Sequence, residues 1–327
     1  MLVNDLGIYS TALTAKISNR EPFFLGRIGG SDTNALVDYL RCTSQGDDLK
    51  SHISKWLPIV KRYNGFYSFQ SEAEDYIRFI DSLLDDYTNM RSMTVCNFQL
   101  LSMLFPASLP PRFYREDFEN KKYFEELVST LSMYDKNCGE YLPYSFIEKG
   151  VAEPNTLFHV FAKSLNGLRV LVVCPFSESI QSNYSRRHTF FREPYSYPDF
   201  TLLTVNSPIT YSGLPKDLYP DATWFDTLAR LKSEIMAVTF DLALFSCGTY
   251  AMPLGRFVAE QLNKSAIYVG GFLQIFFGIM GRRYEDNSRL LSSINHDQFI
   301  YPLERAKYLE YVEVKDSSAK EAFGAYF

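Results

Sequence analysis

Four stretches of this chain place a turn (glycines in three of them, a proline in the other), a polar side chain and a helix start directly behind an apolar run, an arrangement that brings backbone N–H groups up to a bound anion. The first, residues 23–34, reads FFLGRIGGSDTN. Gly29 and Gly30 let main chain approach a ligand, and a helix expected from about Ala35 offers its first N–H groups to a diphosphate. Arg27 supplies a guanidinium that can grip the same anion with paired hydrogen bonds, and Asp32 and Asn34 complete the ligand side of the loop. A purely local reading coexists with this one: Ser31 or Asp32 caps the helix. No Gly-Lys-Ser/Thr follows and the glycine spacing is not that of a dinucleotide fingerprint, so the loop is neither a P-loop nor a GxGxxG turn.

The second stretch, residues 174–182, reads CPFSESIQS. Pro175 ends a strand, Ser177 is placed to cap a helix or contact a ligand, and Glu178 suits the first helical turn. Glu178 is also the candidate base for an acceptor hydroxyl. Arg186, Arg187, His188 and Arg192 follow as a basic run, read more readily as a solvated loop than as a phosphate site. The third stretch is SCGTY, residues 246–250, and the fourth is GGFLQIFFGIMGRR, residues 270–283. Gly248, Tyr250, Gly270 and Gly271 are candidates for one wall of a crevice. Gln274 offers a donor and an acceptor to a base or sugar edge, while Arg282 and Arg283 are expected behind a helix ending near Gly281.

These loops need strands to carry them. Residues 169–174 (RVLVVC), 201–205, 241–246 (DLALFS) and 266–269 (AIYV) are short apolar runs that alternate with helical segments at 224–238 and 252–262, the pattern of a doubly wound parallel sheet. The expected fold is α/β, a Rossmann-like, mostly parallel sheet flanked by helices. It forms one domain over 1–327, with a helix-rich insertion at about 50–165, an alternating core at 166–283 and a C-terminal extension at 284–327. Within the insertion, residues 72–87 put Tyr76, Ile77, Ile80, Leu83 and Leu84 on one helical stripe, and residues 118–134 repeat the pattern. FPASLPPR, residues 105–112, separates the two, and the last dozen residues read as a loosely held tail. In such a sheet, ligands sit beyond the carboxyl ends of the strands, where all four loops fall.

Composition narrows the function classes. The chain has 327 residues and a net charge of −5, a poor balance for bulk binding to nucleic acid or an anionic membrane. No apolar run reaches the roughly 18–20 residues that a bilayer span requires, although peripheral docking to a membrane-bound acceptor stays open. Five scattered cysteines without a CxxC pair argue for a reducing, cytoplasmic setting, with Cys174 and Cys247 as small buried hydrophobes. Four histidines without an HxxxH pattern argue against a histidine metal site. The 23 Tyr and 27 Phe suit stacking on sugars or bases, and suit thick cores still better. Asp47-Asp48 and Asp85-Asp86 read as solvated pairs.

Together the loops resemble the GT-D-type glycosyltransferases and related bacterial polysaccharide-cluster proteins. The resemblance rests on Arg27, Gly29 and Asp32 in the first loop, on Pro175, Phe176, Glu178, Ser179 and Ile180 in the second, and on a closing signature. That signature comprises Asp241, Gly248, Gly270, Gly271, Gln274, Phe277, Gly278, Ile279, Gly281 and Arg283. It implies a nucleoside-diphosphate sugar as donor, a glycan acceptor, and a divalent cation (Mn²⁺ or Mg²⁺) held by an Asp-x-Glu element. Here that element reads Gly30-Ser31-Asp32, with one acid absent and Asp32 in place of Glu. The resulting expectation is a cytoplasmic glycosyltransferase of polysaccharide biosynthesis. Arg27, Gly29, Gly30, Asn34, Ser177, Gly248, Tyr250, Gly270, Gly271 and Gln274 would hold the nucleotide sugar, Asp32 would orient the donor or bind metal, and Glu178 would act on the acceptor. Another Rossmann-type nucleotide-dependent transferase, or an inactive scaffold of a polysaccharide assembly complex, remains open on the sequence.

Overall fold

Apolar runs of four to six residues, too short for helices and bounded by Gly, Pro and Asn, become the strands of a parallel sheet. The computed structural model describes residues 6–28, 30–89, 94–96, 141–143, 162–211, 213–313 and 327. Among these the strands are β1 (Phe24–Ile28), β2 (Thr94–Cys96), β3 (Tyr141–Pro143), β4 (Arg169–Cys174), β5 (Thr201–Asn206), β6 (Leu242–Phe245) and β7 (Ser265–Tyr268). They join in the order β3-β2-β1-β7-β6-β4-β5, and every neighbouring pair is parallel. Strands β1 and β4–β7 form a five-strand body, and β2 and β3, of three residues each, extend it beyond β1.

Side chains alternate across this sheet, so each face has its own core. Val170, Val172, Leu242, Leu244 and Ile267 face one side. There they meet Leu13 and Ile17 of α1 (Leu6–Ser18) and the segment 272–280. Leu171, Val173, Ala243, Phe245 and Ala266 face the other side. That side is covered by α2 (Gly30–Gln45), α3 (Leu49–Tyr63), α4 (Glu72–Asn89), α6 (Trp224–Met236) and α7 (Ala251–Glu260). Short helices α5 (Ser177–Asn183) and α8 (Leu273–Phe276) follow β4 and β7, and α9 (Ser288–Ser293) and α10 (Arg305–Glu313) close the described chain. No helix among the described residues is long and apolar enough to cross a membrane.

Several expectations need correction. Helix α2 begins at Gly30, not near Ala35, so Ser31 and Asp32 occupy its first turn and do not cap it. Two strands lie within the segment read as helical insertion, because three-residue strands are too short to show a period. The helix after Gly270-Gly271 spans only Leu273–Phe276, so Arg282 and Arg283 do not sit at its end. Gly278 at φ +69° turns the chain there. The segments 105–112 and 118–134 lie outside the described residues. Of the expected tail only Phe327 is described, and it is buried against Phe176 and Tyr308. Asp241, part of the closing signature, lies at the amino end of β6, away from the strand ends where ligands bind. There it accepts from the Arg169 guanidinium at 2.9 and 3.2 Å, which holds its carboxyl down to about 2.

Asp86 also departs from expectation. It is 7% exposed and accepts from Arg256 of α7 at 3.2 Å, tying α4 to α7. Burial pushes its carboxyl up to about 6, and Arg256 opposes that rise only in part. The native state therefore holds the proton to a higher pH than the unfolded chain does, and stability falls as pH rises from about 4 to about 6. The loss expected over that window is roughly 2–3 kcal/mol. Urea unfolding at stepwise pH should show the wild type losing more stability between about pH 4 and 6 than Asp86→Asn, by about this amount. An equal decline in the variant would assign it to another group.

Candidate functional site

The carboxyl ends of β4, β5, β6 and β7 meet the start of α2 and the corner between α3 and α4 around a cavity of about 210 Å³. Pro175 and Phe176 come from the end of β4, Pro208 to Tyr211 from the end of β5, Ser246 to Tyr250 from the end of β6, and Tyr268, Gly270 and Gly271 from the end of β7. Asp32 enters from the first turn of α2, and Tyr63, Asn64 and Gly65 from the corner. Neighbouring parallel strands part at their carboxyl ends, so the place is the one the topology favours for a ligand.

Two glycine turns shape one wall. Gly248 has φ +58° and Gly270 φ +76°, values an L side chain adopts at a cost. A Cβ at Gly248 would stand 3.4 Å from the Asn64 carbonyl. The Gly248–Tyr250 turn runs directly into α7, so the N-terminal end of a ten-residue helix faces the cavity and favours negative charge there. Behind it, Tyr250 is buried and stacks on Trp224 with centroids 5.0 Å apart. Trp224 Nε1 donates to Thr249 Oγ1 at 3.0 Å, and that hydroxyl donates to the Asn64 carbonyl at 2.9 Å.

Asp32 is the one charged side chain among the described residues lining the cavity. Asn64 Nδ2 donates to its Oδ1, and the Tyr87 hydroxyl donates to its Oδ2 at 3.2 Å. Burial and the adjacent carboxylate push the Tyr87 phenol well above its ordinary range, so it stays protonated and donating. Helix α2 is itself anchored nearly two turns further along. Asp38 accepts from buried His52 at 3.1 Å and from Arg41 at 3.0 Å, while His52 Nε2 meets the Tyr76 hydroxyl at 3.1 Å. The buried histidine thus serves the helix that presents Asp32.

The structure brings together Asp32, Gly248, Tyr250, Gly270 and Gly271 among the residues expected from sequence. Gly30 opens α2 beside them, and Asn34 lies one turn along the same helix, off the cavity lining. Arg27 occupies the penultimate position of β1, and Gly29 lies outside the described residues. Ser177 is buried and donates to the Asn206 side chain at 2.9 Å, joining the ends of β4 and β5, not capping α5. Gln274 is 3% exposed, away from the cavity lining, and its amide has no hydrogen-bond partner among the described residues.

Glu178 is exposed and does not line the cavity. The group that matters there is Glu304, whose carboxylate accepts from the Glu178 and Ser179 N–H groups at 3.0 and 3.1 Å and from the Ser179 hydroxyl. It caps α5 from 126 residues away in sequence. Glu304→Ala should cost about 1–3 kcal/mol, since it orphans N–H groups that had a charged partner. Glu304→Gln should recover part of that in denaturant unfolding, and equal midpoints for wild type and Glu304→Ala would refute the capping role.

Sequence reasoning missed Asn64, Gly65, Thr210, Thr249 and Tyr87. The Asn-Gly pair at 64–65 was a visible turn signal: Gly65 has φ +80° and its carbonyl accepts from Thr210 Oγ1 at 2.6 Å. No group of three or more His, Cys, Asp or Glu gathers among the described residues, so they build no cage for a resident metal. Asp32 alone offers one carboxylate, already engaged by Asn64 and Tyr87. No protein-family model, curated protein or solved structure matches the chain.

Proposed function

We propose that this protein is a glycosyltransferase that moves a sugar from a nucleoside-diphosphate donor to a glycan or glycoconjugate acceptor. The observation that carries the reading is the meeting of the Asp32 turn with the two glycine turns, at Gly248 and Gly270-Gly271, around one cavity at the carboxyl edge of a parallel sheet. The glycine turns and the N-terminal end of α7 suit the diphosphate, because backbone N–H groups and the helix dipole both favour negative charge. Arg27 near the end of β1 is the sequence candidate for a second contact to it.

In the transfer, the bond between the anomeric carbon and the diphosphate oxygen breaks as the acceptor oxygen bonds to that carbon, and the acceptor proton passes to the departing diphosphate or to water. The developing negative charge falls on the leaving diphosphate, where fixed N–H dipoles stabilise it without reorganising. Asp32 lies across from those dipoles and orients the neutral part of the donor. Glu178 has no role in this transfer, since it is exposed and does not line the cavity.

Incubation with UDP-, GDP-, dTDP- and CMP-sugars, with and without Mn²⁺, tests the reading through release of the free nucleotide. Release from one of the three nucleoside-diphosphate sugars, lost in Asp32→Asn, is the expected result, and release from the CMP-sugar alone, which carries a single phosphate, would contradict a diphosphate donor. Nucleotide binding without any release would favour a scaffold that has lost catalysis.

A further inference from the structure

We infer that Asn64 and Tyr87 are positioning residues that aim the Asp32 carboxylate at a sugar hydroxyl of the ligand, making this trio the part of the cavity that reads the carbohydrate. The inference rests on the nucleotide-sugar reading and goes beyond it in assigning which chemical group each part of the cavity meets. Asp32 is the one charged side chain among the described lining residues, and a carboxylate held by two donors keeps lone pairs for a hydroxyl proton. The glycine turns suit the anion, and Asp32 meets the neutral, hydroxyl-bearing portion.

The carboxylate is held from two elements. Asn64 at the end of α3 donates to one oxygen, and Tyr87 of α4, 3.2 Å away, donates to the other. Asn64 has a second task. Its carbonyl accepts from Thr249 at 2.9 Å and stands 3.4 Å from where a Gly248 Cβ would be, so the same residue fixes the acid against the glycine turn. Distance and direction between the hydroxyl-reading and anion-binding parts are thereby set by one side chain and its own carbonyl.

The hydroxyl can belong to the transferred sugar or to the ribose of the nucleotide. Calorimetric titration separates these sources when run with the best-binding member of the UDP-, GDP-, dTDP- and CMP-sugar set, its parent nucleotide, and the 2′-deoxy (or ribo) counterpart of that nucleotide. If Asp32 reads the transferred sugar, Asp32→Asn weakens the nucleotide sugar about 10- to 100-fold, the range expected for a hydrogen bond to a charged group. The parent nucleotide then stays within about twofold. If it reads ribose, the loss appears with the ribonucleotide and is absent with the 2′-deoxy form. Tyr87→Phe, which keeps the ring, and Asn64→Ala should each give a smaller loss confined to the same ligand portion. A general structural role would weaken every ligand alike, and that outcome overturns the inference, as does unchanged affinity in Asp32→Asn. Absence of binding by any nucleotide sugar to the folded wild type would instead overturn the reading on which it rests.

Discussion

Trp224→Ala should lower the unfolding free energy by about 3–5 kcal/mol, the usual cost of removing a large buried aromatic side chain. Trp224 is 1% exposed and packs in three directions. It stacks on Tyr250 at 5.0 Å with planes 10° apart, and meets Phe79 of α4 edge-on at 5.0 Å and Phe225 at 5.1 Å. The indole also donates to Thr249, so truncation removes a hydrogen bond at the cavity wall as well as packing. Trp224→Phe separates these contributions. It keeps an aromatic ring but loses the N–H, and should cost distinctly less in denaturant unfolding. A Trp224→Ala loss below about 1 kcal/mol would mean that the site collapses around the change far better than buried aromatic sites normally do.

Gly255→Ala should destabilise by about 3 kcal/mol, even though Ala is the better helix former by roughly 1 kcal/mol. Helix α7 crosses β1 at this glycine, and an added Cβ would stand 2.1, 2.4 and 2.7 Å from three ring atoms of Phe24. Phe24 is 1% exposed, so its ring cannot swing to solvent without opening the core. Either the ring leaves its rotamer or α7 lifts from the sheet, and lifting α7 also moves the Gly248 turn at its start. The remedy lies in the partner: Phe24→Leu combined with Gly255→Ala should be more stable than the sum of the two single changes predicts. Strict additivity in that double-mutant cycle would refute the contact as the cause.

Local pattern carried the sheet better than the site. β4 and β6 were legible because RVLVVC and LALF are apolar runs with turn residues on both sides, and both are buried on two faces. The stripe in α4 was legible because Tyr76, Ile80 and Leu83 recur at helical spacing and all three are buried. β2 and β3 were not, since three-residue strands, β2 beside β1 and β3 beside β2, acquire their identity from pairing rather than from their own side chains. In the site, glycines announced themselves at Gly248 and Gly270 because positive φ leaves few other choices. Asn64 stood in a visible Asn-Gly turn, but neither it nor Tyr87 gave any sign of a tie to Asp32. Their meeting with Asp32 depends on how α3 and α4 fold back over α2, and no spacing in the sequence encodes that. Glu304 capping α5 across 126 residues is the same case. It also explains why a carboxylate that looked available at position 178 is displaced in importance by one much later in the chain.

The most direct test of the central claim is a thermal-shift titration of the full chain with UDP-, GDP-, dTDP- and CMP-sugars. A ligand at a hundredfold excess over its Kd stabilises the native state by about 2.7 kcal/mol. That corresponds to a rise of roughly 4 °C in Tm for a chain of this size. One nucleotide class should produce that rise, and Gly248→Val, which crowds the Asn64 carbonyl at the cavity wall, should diminish it. A folded wild type whose Tm does not move with any of the four would contradict the assignment of this cavity to a nucleotide sugar.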